Sequence, residues 1–154
     1  MHIPPGGGPP PHRHDFEESF ILLEGEIEAT FRGVKSVVGE GQTVHIPANA
    51  PHQFQNTSTR PARLLCICSP AGQEEFFAQV GVPVATRTTP PPKLDPTAQA
   101  EFRAKAEALA PKYRTEFLGP PELAAIYSTA LRAITSLYHS ALSLGVRLCV
   151  LKST

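Results

Sequence analysis

No excess of charge of either sign is present: fourteen Lys and Arg balance fourteen Asp and Glu, for a formal net charge of zero. A nucleic-acid binder needs clustered Lys and Arg against phosphates, and that footprint is missing. Cysteine is scarce as well. Cys66, Cys68 and Cys149 are an odd and sparse set, which excludes a disulfide framework and makes a reducing compartment the expected one. The first residues, Met-His-Ile-Pro-Pro-Gly, carry neither the basic region nor the apolar segment of a secretory signal. Long apolar runs are lacking too. The most apolar tail, 123–151, is interrupted by Arg132, His139 and Arg147 and makes a poor membrane span. These absences together predict a cytoplasmic protein with no nucleic-acid and no membrane partner.

Proline, by contrast, is abundant. Seventeen are present, clustered at 4–11 and 90–92, where they punctuate the chain. With 41% hydrophobic and 18% charged residues, the composition is that of a globular protein, and 154 residues suit one domain. Residues 4–11 cannot form a helix and would serve poorly as an interior strand, so a loop or extended lead-in is expected. From His12 to about Ser69, short apolar runs alternate with turn signals. Phe20–Leu23, Ile27–Phe31, Val37-Val38, Thr43–Ile46, His52–Gln55 and Ala62–Cys68 read as strands. Gly25, Arg32-Gly33, Gly39, Gly41 and the loop Pro47–Pro51 separate them. Short strands at this spacing predict an antiparallel sandwich or barrel.

Beyond Ser69 the period changes. Gln73–Val80 suits a short helix, with Glu74 and Glu75 in its first turn and Phe76, Phe77 and Val80 on its apolar side. Residues 82–93 hold four prolines and form a linker or wrapping arm. Asp95 and Pro96 then cap and open a helix expected to run through Leu109 and stop before Pro111. The spacing of Leu123, Tyr127, Leu131, Ile134, Tyr138 and Ala141 predicts an amphipathic helix over 121–144.

The chemistry concentrates between Gly6 and Gly25. On a strand, His12 and His14 share a face, and Glu18 keeps their parity, whereas Glu17 falls outside. His52 follows the stiff loop Pro47-Ala48-Asn49-Ala50-Pro51, which can present an imidazole at a set angle. Imidazoles with a carboxylate are ligands of intermediate hardness, suited to Fe, Mn, Ni, Zn or Cu as a divalent ion rather than to calcium. Such a set leaves a coordination position open to water or substrate.

Gly6, His12, His14, Glu18 and Gly25 match, position for position, the first motif of the cupin superfamily. Gly41, Pro47, Asn49, His52 and Asn56 match the second, with Asn49 where the family prefers glycine. Asn tolerates positive φ, so the turn is expected to survive. The chain thus resembles the cupins over roughly residues 3–81, and within them it is most similar to single-domain bacterial, quercetin dioxygenase-like members. The resemblance implies a mainly β fold, a cupin-type antiparallel β-barrel or jelly roll with C-terminal α-helices. It implies His12, His14, Glu18 and His52 as the ligands of one divalent transition metal, with Glu18 able to serve also as a catalytic base. Phe20 and Leu22, of the same parity as Glu18, are expected as core residues and as the wall of a pocket. His45 is expected to be structural and His2 and His139 exposed, and Cys66-x-Cys68, which could also be read as thiolate ligands, is expected to pack within the apolar run Leu64–Cys68.

The expected organisation is a cupin core at 1–81, a Pro-rich arm and helix packing on it at 82–120, and a helical extension of unassigned role at 121–154. Cupin barrels usually open with strands before the first motif, and only eleven residues precede His12. An incomplete barrel with an uncapped edge is therefore expected, and with it a homodimer. The leading expectation of function is oxygenase-type chemistry on a small-molecule substrate. A metal- or ligand-binding module without turnover, an isomerase or decarboxylase, and a defective remnant are the alternatives.

Overall fold

A computed structural model describes residues 1–86, 89, 92–120 and 122. The expected helix over 121–144, with Tyr127 and Tyr138, and also His139 and Cys149, lies outside the described residues. Two compact units are distinguished, Met1–Leu118 and Gly119–Thr154. The first contains every strand described below.

Residue alternation builds the sheets. In β3 (Glu17–Glu24), Glu18, Phe20 and Leu22 are buried while Glu17 is exposed, so one face carries the apolar side chains and the first carboxylate. In β8 (Ala62–Ser69), Ala62, Leu64, Cys66 and Cys68 turn inward and Arg63, Leu65 and Ile67 outward. With β1 (His2–Ile3) and β6 (Thr43–Ile46) these strands form a four-stranded antiparallel sheet in the order β1-β8-β3-β6. The facing sheet has the order β5-β4-β7-β2-β9, from β2 (His12–His14), β4 (Glu26–Phe31), β5 (Val34–Gly39), β7 (His52–Gln55) and β9 (Thr115–Phe117). Arg32 (φ 48°) and Gly33 (φ 83°) make the two-residue turn between β4 and β5, a backbone shape matched to the twist of a hairpin.

The core lies between the sheets. Phe20 and Phe54 meet edge to face at 5.0 Å, and Leu22, Ile27 and Leu64 around them are almost fully excluded from solvent. Such burial stabilises by about 1.5–3 kcal/mol per large apolar side chain. The fold is therefore mainly antiparallel β, a jelly roll whose two sheets do not close on each other among the described residues.

The two helices expected before residue 121 are present. In α1 (Gln73–Val80), Phe76 and Val80 are buried, and in α2 (Pro96–Leu109) Ala106 is. Asp95 accepts the Ala98 N–H at 2.9 Å, with Pro96 at the first helical position. Phe76, Val80, Ala106, Ala110 and Tyr113 form a second apolar cluster, against which Phe117 packs.

The strand β9 was not visible in the sequence. Three residues, Thr-Glu-Phe, carry no measurable alternation, and they follow a short 3₁₀ turn at Ala110–Tyr113. Arg114 reverses the chain there with φ 60°, and β9 then pairs antiparallel with β2, His12 opposite Phe117 and His14 opposite Thr115. The chain thus covers the free edge of β2 with its own later segment. On the other sheet, β1 pairs only with Ala62 and Arg63, and Met1 adds bonds to Leu64.

The glycine-rich lead-in is held by close approach to β7. A Cβ at Gly8 (φ +147°) would meet the Phe54 carbonyl oxygen at 2.1 Å, so only glycine lets this segment lie against the strand. Asn56 is wholly buried beside it. Its amide donates to the carbonyls of Ile3 and Arg60, and its oxygen accepts from the Ser58 N–H and hydroxyl.

Candidate metal centre

His12 and His14 stand on β2, Glu18 on β3 and His52 at the start of β7. Each is at most 6% exposed. One ligand atom from each of the four lies within 4.8 Å of all the others. The chain bends at Asp15-Phe16 between β2 and β3, yet Glu18 stays on the inner side and Glu17 points to solvent, as strand parity predicts.

Three backbone carbonyls orient the imidazoles. His12 Nδ1 bonds to the Pro10 oxygen at 2.9 Å, His14 Nδ1 to that of Phe16 at 2.8 Å, and His52 Nδ1 to that of Ala50 at 2.9 Å. A carbonyl can only accept, so each Nδ1 donates its proton, and in the neutral ring Nε2 is left with a free lone pair. The Nε2 atoms of His14 and His52 face the same Glu18 oxygen, Oε2, at 3.1 and 3.2 Å. A carboxylate oxygen between two such lone pairs is repelled unless a cation or a proton stands among them. Three imidazoles held by their far nitrogens around one carboxylate fit a transition-metal site.

The electrostatics agree. Burial and the neighbouring His52 lower the His12 pKa to about 4, so this ring is neutral and ready to ligate at physiological pH. Burial pushes the Glu18 carboxyl upward, but the hydrogen bonds that His14 and His52 give when a proton stands on Nε2, together with that of Cys66, outweigh it and hold the group well below the usual carboxylate range. Phe16 stacks flat on His14 with centroids 3.8 Å apart, fixing that ring from the side.

The turn before His52 keeps its shape without the glycine. Asn49 adopts φ 63° and donates its N–H to the His14 carbonyl at 2.6 Å, so the loop that delivers His52 is tied to the strand carrying the other two imidazoles. Phe20 and Leu22 are placed in the core, 3% and 1% exposed, with Phe20 two residues from Glu18 on the same face. His45 is exposed and bonded to Ser19. His2 is exposed as expected.

Two residues expected from the sequence as packing residues rather than thiolate ligands stand beside the site. Cys66 Sγ lies 3.1 Å and Cys68 Sγ 3.8 Å from the second Glu18 oxygen, Oε1. The hydrogen bond with Cys68, burial and the Glu18 charge push the Cys66 thiol up. The available signal was register: residues two apart on a strand share a face, and β8 pairs Cys68 with Glu18 and Cys66 with Phe20. The orienting carbonyls of Pro10, Phe16 and Ala50 had no signal, because backbone acceptors leave no trace in residue type.

A family model described as a cupin domain matches residues 1–68. Over 74 residues the chain is 35% identical to auxin-binding protein 1 of Arabidopsis thaliana, covering 42% of this chain and 37% of that protein. Over 102 residues it is 28% identical to quercetin 2,3-dioxygenase of Bacillus subtilis, covering 66% of this chain and 30% of the relative. The chain spans between 30% and 59% of the length of the curated relatives it matches. Among solved structures, the protein TT1209 of Thermus thermophilus aligns at 30% identity with a TM-score of 0.43, covering 45% of this chain and 67% of that one. Among the described residues no helix is long and apolar enough to cross a membrane.

Proposed function

Because residues 1–68 are a cupin domain, we propose that the protein is a metal-dependent enzyme of the oxygenase type, acting on a small organic substrate. Its imidazole site holds a single ion, through His12, His14, Glu18 and His52. The observation that carries this reading is the shared orientation of the imidazoles, each Nδ1 committed to a backbone carbonyl and each ring turned toward Glu18. When bound, a divalent ion supplies Lewis acidity and an open position for substrate oxygens or dioxygen.

The remaining roles belong to the chain. Glu18, kept ionised by its low pKa, serves as the acceptor of a proton in the reaction. Phe20 forms an apolar wall two residues from Glu18 on the same face and keeps water from the reacting substrate, with Leu22 one step deeper. The similarity to a quercetin 2,3-dioxygenase supports this choice of chemistry. A homodimer accompanies it: Leu23, Leu65 and Ile67 are exposed on one outward sheet face, and Leu65–Ser69 of β8 have no outer strand partner among the described residues. The domain boundaries follow the same reading, with 1–81 as catalytic core, 82–120 as supporting arm and helix, and 121–154 as an extension. A cytoplasmic location accords with the unpaired thiols of Cys66 and Cys68.

One observation favours a second reading, a binding cupin without turnover. Phe20 and Leu22 are packed into the core, which leaves little open volume on their side of the ligands. Elemental analysis of purified protein beside a His12→Ala, His52→Ala variant tests the centre. The wild type is expected to carry a transition metal of which the variant lacks one ion per chain. Substrate-dependent oxygen uptake by the metal-loaded protein then separates the enzyme from the binding module. Product released without oxygen uptake indicates an isomerase or decarboxylase. Equal metal content in the two proteins sinks the centre itself.

A further inference from the structure

One carboxylate oxygen of Glu18, Oε2, faces the imidazoles. Its other oxygen, Oε1, faces β8, where Cys66 and Cys68 point inward from alternate positions. Packing alone would set these sulfurs against apolar neighbours. Instead, both lie beside one carboxylate oxygen, and the two sulfurs stand 3.7 Å from each other.

Those three distances have a chemical meaning. Around one tetrahedral ion, two thiolates at about 2.3 Å stand about 3.8 Å apart, and a thiolate and a carboxylate oxygen about 3.6 Å apart. The triangle of Cys66 Sγ, Cys68 Sγ and Glu18 Oε1 has sides of 3.7, 3.1 and 3.8 Å. The donors therefore stand close to where a single ion needs them, before any side chain has moved. The three form a ligand cluster separate in its outer members from the imidazole set, with Glu18 common to both. The two thiols are only half-buried, so an ion can reach them.

We propose a second metal position in this protein, formed by Cys66, Cys68 and Glu18 Oε1, with the Glu18 carboxylate bridging it to the imidazole site. Its thiolates select a softer ion than the imidazoles do, Zn(II) or Cu(I), and a fourth position stays open. Binding releases the two thiol protons to solvent. The two positions differ in hardness and share one charge, so filling either changes the affinity of the other. This position goes beyond the oxygenase reading, since it requires no turnover.

Anaerobic titration of the metal-free full chain with Co(II) tests it, in a Cys149→Ser background that leaves only the two β8 thiols. Co(II) bound to thiolate shows a charge-transfer band in the near ultraviolet that imidazole and carboxylate ligands do not produce. The expected result is two Co(II) per chain with that band. Cys66→Ser, Cys68→Ser protein should take one Co(II) without the band. His12→Ala, His52→Ala protein should take one and keep it. Circular dichroism of each variant confirms that it is folded. No band at saturation, with both thiols still open to a disulfide reagent, overturns the proposal. So does a band that disappears in the histidine variant, because the sulfurs would then belong to one mixed site. Failure of the imidazole centre is distinguishable: the histidine substitutions would leave the stoichiometry unchanged.

Discussion

The backbone N–H of Asn49 donates to the carbonyl of His14 at 2.6 Å, joining the turn that carries His52 to the strand that carries two other ligands. Together with the Gly6 and Gly7 bonds to Asn56 and the pairing of His12 with His52, this bond couples the two sequence motifs in space. It requires Asn49 to hold φ 63°, a conformation that Asn and Gly tolerate and β-branched residues do not. Asn49→Gly is therefore expected to keep stability within about 0.5 kcal/mol and retain metal. Asn49→Val should cost at least about 1–2 kcal/mol and weaken metal binding several-fold. Urea unfolding and metal titration of both variants check this. Equal behaviour of the two would show that the turn does not need its left-handed residue.

Asn56 closes the same motif from the other side, with four hydrogen bonds in a fully buried position. Asn56→Ala strips the carbonyls of Ile3 and Arg60 of their amide donor and should destabilise by roughly 3 kcal/mol. The ligands themselves are not touched, so metal stoichiometry should persist at low temperature while the thermal midpoint drops. An unchanged midpoint would mean that solvent replaces these bonds.

Acid should weaken the metal-free protein in a defined window. His12 has its pKa lowered to about 4 from an ordinary 6.5, so between those values the unfolded chain takes up a proton that the folded chain refuses. The stability is complete above about pH 6.5 and declines as pH falls toward 4, by up to about 3 kcal/mol. Glu18 acts in the same direction at lower pH, because a carboxyl held below its usual range contributes stability above about pH 4.3 and loses it on acidification. Urea midpoints of chelator-treated protein, measured between about pH 7 and pH 4.5, should fall steadily. In His12→Gln protein the decline should be shallower.

The edge of β2 depends on a segment more than a hundred residues away. A chain ending at Leu118 keeps β9, whereas one ending at Lys93 loses it and bares the backbone of the strand holding His12 and His14. The longer chain should bind metal, and the shorter should bind at least tenfold more weakly and self-associate. Light scattering and metal titration distinguish them. The exposed Arg13–Glu116 ion pair, at 2.7 Å, is not the reason: Glu116→Ala should cost less than about 1 kcal/mol.

Local chemistry made much of this protein legible. Alternating faces in β3 and β8, glycine and Arg32-Gly33 turns, and the Asp95-Pro96 helix start are each decided within a few residues, because parity and turn conformation are short-range properties. Parity and one stiff loop brought His12, His14, Glu18 and His52 into view as candidates, and their reading as a ligand set came from the resemblance to the cupin motifs. Long-range pairing was not. That β9 covers β2 depends on α1, α2 and the 3₁₀ turn packing Phe76, Tyr113 and Phe117 together, a consequence of three-dimensional burial rather than of any three-residue pattern. Nor could spacing reveal that Cys66 and Cys68 meet Glu18 some fifty residues away. Strand register brings them together, and register is settled only when the whole core has chosen which side chains it will bury.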